Sequence, residues 1–262
     1  MNMTKKKKLE EVDKNNLPKG ERFYLWLREW TDAFVFAFFL AMLIRTFVVE
    51  LYKIPTGSMT PTLVGDWVAE QDWDKDGTKD LILVQSVSKH RGRAQWVFLK
   101  EGNHYKQPPL YVYPDYKFVT GIKERNDRIL VNKLAYFFNK PKRGDPIVFK
   151  VPENIFDPNK PYFIKRLVGF GGERISVTDG HLYINGKMVT EPEQIARVYY
   201  ANMWSLYPPG TEVKIPDNEV YGFGDNSYNS LDSRRWGGIP YVNLKGKAFF
   251  RWWPPSKIGF IK

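Results

Sequence analysis

Three short segments carry residue types and spacings capable of chemistry. The first is Ile54-Pro55-Thr56-Gly57-Ser58-Met59-Thr60-Pro61-Thr62-Leu63. Its prolines and glycine make a rigid turn that can present Ser58 on a backbone corner, with the Thr56 hydroxyl two residues earlier. A plain polar linker fits the same letters. The second is Tyr162-Phe163-Ile164-Lys165-Arg166-Leu167-Val168-Gly169. On a strand, Phe163, Lys165 and Leu167 share one face. A lysine between two large apolar neighbours either snorkels or is buried. Burial disfavours the ammonium and lowers its pKa, as a lysine base working near neutral pH requires. The third runs from Gly222 through Gly224-Asp225-Asn226 to Ser230-Leu231-Asp232-Ser233-Arg234, dense in turn formers and hydroxyls. Asp232 and Arg234 stand two apart and can pair.

Other chemistries have less to work with. Cysteine is absent, which removes disulfides, thiolate metal sites and thiol catalysis. The three histidines, His90, His104 and His181, have no candidate metal ligands at helical or hairpin spacing, so a zinc centre is not expected. The formal charge of +11 suits either nucleic-acid phosphates or anionic lipid headgroups. Aromatics at 16% suit base stacking or a membrane interface equally.

Chain organisation separates these readings. Residues 1–29 form a basic tail in which eight Lys/Arg precede an apolar run: Lys5 to Lys8, Lys14, Lys19, Arg22 and Arg28. The run from Ala33 to Ile44 shows no polar face at helical spacing. With Thr31 and Phe47 to Val49 included, a segment at 30–49 reaches the ~20 residues of a membrane-spanning helix, with Arg45 snorkelling at its end. No small-x-small site follows it, so an uncleaved anchor is expected rather than a signal peptide. The basic flank places the N-terminus in the cytoplasm and residues 50–262 outside. On the wrong side of that membrane, nucleic acid is not an expected partner.

Beyond the anchor, short β-type runs alternate with Gly, Pro, Asn and Asp. Examples are Arg128 to Val131, Pro146 to Phe149, Phe163 to Val168, Arg174 to Val177, Glu219 to Phe223 and Ala248 to Trp252. His181 to Ile184 is followed by Asn185-Gly186, a strong hairpin signal. The pattern predicts a mostly β, antiparallel domain.

In this order, and after an N-terminal anchor, the segments resemble the boxes of bacterial type I signal peptidases. The matching stretches are Pro55-Thr56-Gly57-Ser58-Met59, Lys142-Arg143-Gly144-Asp145 with Val148-Phe149, Phe163-Ile164-Lys165-Arg166, Gly224-Asp225-Asn226 through Arg234, and the closing Arg251-Trp252-Trp253-Pro254. The resemblance covers the anchor, residues 45–66 and residues 128–262. It implies a membrane-bound serine endopeptidase that removes signal peptides from exported pre-proteins, with no cofactor and no metal. Ser58 is implied as nucleophile and Lys165 as general base. Thr56 would complete an oxyanion hole with the Ser58 N–H, Ser230 would orient Lys165, and Asp232 and Arg234 would support them. Tyr52, Ile54, Leu63 and Ile164 would line shallow pockets selecting Ala-x-Ala. Expected partners are those signal peptides and the lipid bilayer of the plasma (inner) membrane, close to the secretion translocon. Ser58 lies 14 residues past Ile44, so at ~3.5 Å per residue it stays near the bilayer.

Two departures stand out. Ser227 occupies a place where the family often has arginine. Residues 67–127 separate Gly65-Asp66 from the Arg128 strand, and their strand-like runs (Leu81 to Val84, Trp96 to Leu99, Tyr111 to Tyr113) predict an inserted β-rich subdomain. Within it, Asp72, Asp74, Asp76 and Asp80 imitate the start of a calcium loop, but Leu83 stands at the closing twelfth position. A hairpin turn at Asp76-Gly77 explains the same letters. The alternative function is an anchored, non-catalytic β adaptor or envelope scaffold on the same fold. Retention of Ser58, Lys165, Thr56 and Ser230 together weighs against it.

Overall fold

The computed structural model describes residues 18–86, 88, 90–108, 117–155, 157–202, 205 and 207–262. The Lys5 to Lys8 run, Lys14 and the Tyr111 to Tyr113 run lie outside them. The described chain forms two compact units that divide after Phe47.

The first unit contains the helix Lys19–Phe47, whose 29 residues include no buried side chain. At ~1.5 Å per residue it is about 43 Å long, more than a ~30 Å hydrocarbon core needs. It is long and apolar enough to cross a membrane. Phe23, Trp26, Trp30 and Phe34 form a ladder along one side, each ring within 6.0 Å of the next. The helix begins well before the segment 30–49 marked by hydropathy and stops two residues short of its end. Polar residues such as Glu21 and Arg22 suit a helix without adding to an apolar window. At the other end, β-branched Val49 opens the strand Val49–Lys53 and pairs with Asn132.

In the second unit, an eight-stranded antiparallel sheet holds the site. Its order is Val49–Lys53, Arg128–Asn132, Leu244–Trp253, Pro146–Lys150, Tyr162–Phe170, Glu219–Phe223 and Ile239–Pro240, with Gly259–Phe260 also paired to Leu244–Trp253. The strand Tyr162–Phe170 is therefore interior, with Lys165 opposite Ile147 and Arg166 opposite Phe223. Strand alternation sends these two cations to opposite faces, and both are buried. A four-stranded sheet built on Arg174–Thr178 and His181–Ile184 packs its own core of Ile175, Leu182, Ile195 and Ile215. Its hairpin turns at Asn185-Gly186, both with positive φ, as the dipeptide predicts.

Residues 67–127 supply a six-stranded sheet containing Trp67–Gln71, Asp80–Ser86 and Arg91–Glu101. In the connection before Asp80, carboxylate oxygens of Asp72, Asp74 and Asp80 come within 4.8 Å of one another. They act as acceptors for the loop. Asp80 receives the N–H groups of Trp73 and Lys100, and Asp72 that of Gly77.

The Ser58 segment is a short 3-10 turn, Gly57–Met59, held in place by the residues on its C-terminal side. Met59 and Leu63 are fully buried among Ile54, Ile129, Val131 and Val148. Asp127 ties the ends together. Its backbone carbonyl accepts from Ile54 N–H at 2.8 Å, and its carboxylate accepts from Val64 N–H, Arg125 and Arg251. Arg251 also donates to the Thr62 carbonyl at 3.0 Å. Removing the carboxylate would leave two guanidinium groups unpaired beside the turn. Asp127→Ala is expected to cost about 3–5 kcal/mol of stability, measured by urea unfolding in detergent.

Candidate active site

Lys165 Nζ lies 2.8 Å from Ser58 Oγ, bringing together residues 107 apart in sequence. Ser58 is half-buried at the turn, whereas Lys165 is 3% exposed. The Phe163 ring centroid stands 5.6 Å from Nζ. Gly222, on the adjoining strand, makes room for the side chain: a β-carbon there would approach Lys165 Cβ to 3.0 Å. Burial lowers the Lys165 pKa to about 8, with Arg234 adding to the depression and Asp232 and Asp225 opposing it. The amine is thus substantially neutral just above physiological pH, and a neutral amine in reach of a hydroxyl can accept its proton.

Asp232 and Arg234 form the buried pair that their spacing suggests. Arg234 Nη2 is 2.7 Å and Nε 2.9 Å from the Asp232 carboxylate. Burial pushes the Asp232 pKa up, but Arg234 and neighbouring hydrogen bonds overcome that and hold it below the usual carboxylate range. Asp232 also accepts from Gly224 N–H at 3.0 Å, stitching the two ends of the loop together. Ser230 Oγ is buried beside the Asp232 carboxylate, whose pKa it helps to lower, and is not hydrogen-bonded to Lys165. Gly224 is the one residue type that fits beside it, since a β-carbon would lie 2.2 Å from Ser230 Oγ and 2.5 Å from the Ser58 carbonyl oxygen.

Thr56 is exposed, and its side chain does not cap the turn, so its hydroxyl is not spent there. Tyr52, Ile54, Leu63 and Ile164 belong to one apolar cluster on the turn's flank. Ile54 and Leu63 are its buried floor; Tyr52 and Ile164 are partly open. The residues singled out by sequence all lie on three elements: the turn with its preceding strand, the Lys165 strand and the 222–234 loop. Direct contact within the set is strongest for Ser58 with Lys165 and for Asp232 with Arg234.

Several supporting groups are not evident from sequence. Arg166, 1% exposed, grips Asp225 through two hydrogen bonds of 2.8 and 2.6 Å and reaches the Gly144 carbonyl at 2.7 Å. Its alternation with Lys165 is the signal that would have put it on the opposite face. Asn226 donates from its backbone N–H to the Ser58 carbonyl at 3.0 Å and from Nδ2 to the Gly57 carbonyl at 3.1 Å. Ser227 sits fully buried, accepting from Ala201 N–H at 2.8 Å and from Arg234. Arg234 reaches back along the loop to this residue's hydroxyl and backbone carbonyl.

With that geometry in hand, comparison with known proteins is decisive for the family. The sequence model of the family described as "Signal peptidase, peptidase S26" matches residues 27–100 and 122–253. The chain belongs to the S26 signal peptidase family. The two matched segments leave residues 101–121 between them.

A signal peptidase I of Leptolyngbya laminosa is 40% identical over 139 residues, covering 52% of this chain and 64% of that protein. One from Pseudomonas fluorescens is 29% identical over 269 residues, covering 90% of this chain and 76% of the relative. A crystal structure of a signal peptidase I from Enterococcus faecalis V583 shares 26% identity, with 42% of this chain and 97% of that one covered at a TM-score of 0.32. The chain therefore spans a little under two thirds of the length of the Leptolyngbya relative.

The site's electrostatics can be tested without any substrate. Asp232 raises the Lys165 pKa, so Asp232→Asn should move it further below about 8 in an NMR titration of labelled lysine. The same change leaves Arg234 buried without its counter-ion and should cost about 3–5 kcal/mol in chemical unfolding.

Proposed function

We propose that this S26 signal peptidase cleaves signal peptides from exported pre-proteins through Ser58 and Lys165. The observation that carries the reading is a buried, neutralisable amine 2.8 Å from a turn-mounted hydroxyl. Lys165 takes the Ser58 proton as Oγ attacks the scissile carbonyl. The tetrahedral intermediate then collapses to an acyl-enzyme, the protonated Lys165 returning its proton to the leaving amine. A water activated by the same amine releases the signal peptide.

The oxyanion is held by Ser58 N–H and the Thr56 hydroxyl. The first is set by the turn, whose Gly57 and Ser58 carbonyls are both tied to Asn226. Loss of one such donor typically costs about 3–4 kcal/mol in the transition state. Ser230 supports Lys165 from beside Asp232. Tyr52 and Ile164 form the rims, and Ile54 and Leu63 the floor, of shallow apolar depressions. Only small side chains seat there, which gives a small-x-small preference.

The helix Lys19–Phe47 serves as a single-pass anchor within the segment 30–49, with the basic tail 1–29 in the cytoplasm and residues 50–262 on the outer side of the plasma membrane. Lipid and the secretion translocon are the neighbours this topology implies. No cofactor enters the scheme, since amine and hydroxyl supply both proton transfer and nucleophile.

Purified full-length protein in vesicles should cut a pre-protein bearing an Ala-x-Ala site after the second alanine. Ser58→Ala and Lys165→Met, each shown by circular dichroism to be folded, should be inactive; survival of activity in either contradicts the assignment. A base must be unprotonated, so kcat/KM should rise with pH and level off above about 8. Below that value it should fall about tenfold per pH unit. A profile flat between pH 6 and 9 would exclude Lys165 as the titrating base.

A further inference from the structure

We infer that Gln107 is a positioning residue for Ser58, acting through Asn226; the inference rests on the catalytic reading above and gives a role to the stretch outside the family match. Gln107 lies within residues 101–121, yet it is 3% exposed and reaches the catalytic loop. Its Nε2 donates to Asn226 Oδ1 at 2.9 Å across 119 residues of sequence. Asn226 in turn holds the Gly57 carbonyl with Nδ2 and the Ser58 carbonyl with its backbone N–H.

The chemistry of the amide makes this relay directional. An asparagine side chain has one acceptor end and one donor end. The Gly57 carbonyl can only accept, so it takes Nδ2 and leaves Oδ1 facing Gln107. The Gln107 donor satisfies that buried oxygen and so supports the Asn226 orientation that pins the turn. With those carbonyls held by Asn226, the turn keeps Ser58 Oγ 2.8 Å from Lys165 Nζ. The six-stranded sheet also touches the loop, where Trp96 stacks on Tyr228 with centroids 5.6 Å apart and planes 10° from parallel.

A stability role alone does not account for this glutamine. Its Oε1 is buried with no partner among the described residues, an arrangement that disfavours folding. An apolar isostere removes that orphan acceptor and the Asn226 donor together. Gln107→Leu separates positioning from stability for this reason, and Gln107→Glu replaces the donor with an acceptor of equal length.

The test uses full-length wild type, both variants and Asn226→Ala alone and combined with Gln107→Leu, in detergent. Pre-protein cleavage is read as kcat and KM, and deuterium exchange is followed in the peptide spanning residues 54–63. Gln107→Leu should keep its thermal midpoint while kcat drops about tenfold to a hundredfold at unchanged KM, the scale of a small misplacement at a reacting centre. Gln107→Glu should lose more. Exchange at 54–63 should accelerate in both, and remain unchanged at 174–178. Gln107→Leu should add nothing to Asn226→Ala, since both break one relay. Wild-type kcat in Gln107→Leu, or independent losses in the double variant, would overturn the inference. If the wild type itself cleaves nothing, the catalytic reading falls, and exchange still decides whether Gln107 holds the turn: unaltered exchange at 54–63 in both variants refutes it.

Discussion

Everything at this site depends on keeping one amine out of water. An exposed lysine at neutral pH carries a proton and cannot act as a base. Moving the Lys165 pKa from 10.5 to about 8 corresponds to about 3 kcal/mol of disfavoured ammonium, which the fold must supply from packing elsewhere. The interior strand position, the Phe163 ring and the absence of a side chain at Gly222 all serve that burial. Asp232 and Asp225 pull the other way, and Arg234 offsets them in part. The balance leaves the Lys165 pKa at about 8.

The second constraint is on the serine, which a strand could not present. A 3-10 turn is weak by itself, with one Thr60 N–H to Gly57 carbonyl bond of 3.1 Å closing it. Its geometry comes from three buried anchors around it. Asp127 with Arg125 and Arg251 ties its flanks, Arg166 with Asp225 steadies the loop that faces it, and Asn226 takes its carbonyls. Buried ion pairs contribute little net stability compared with apolar packing, because desolvation cancels much of their attraction. Here their return is geometry: each fixes a backbone segment that flanks or faces the Ser58 turn.

Much of this was legible in the sequence. The alternation of Phe163, Lys165 and Leu167 marks one face of the strand, and the Pro-Thr-Gly-Ser stretch marks the turn that carries Ser58. Asn185-Gly186 marks a hairpin, and the β-type runs coincide with strands because turn formers bound them closely. What escaped was whatever depends on long-range pairing. The Asn226 to Gln107 bond spans 119 residues, and no local pattern distinguishes that glutamine from a surface one. The sheet at 67–127 is fixed by the register of its strands with one another rather than by motif residues, so its pairing is not written in any local pattern. The helix start at Lys19 was hidden because polar helix formers do not register in hydropathy. The aspartates at and before Asp80 fit a turn and a cation loop alike, because both use closely spaced carboxylates.

The central claim is that Ser58 becomes acylated with Lys165 as its base. Mass spectrometry of an acid-quenched, single-turnover mixture of excess enzyme with pre-protein tests it most directly. A signal-peptide adduct should appear on the peptide containing Ser58, form more slowly as pH falls below about 8, and be absent in Lys165→Met. Cleavage without any adduct, or with an adduct on another residue, would contradict the account.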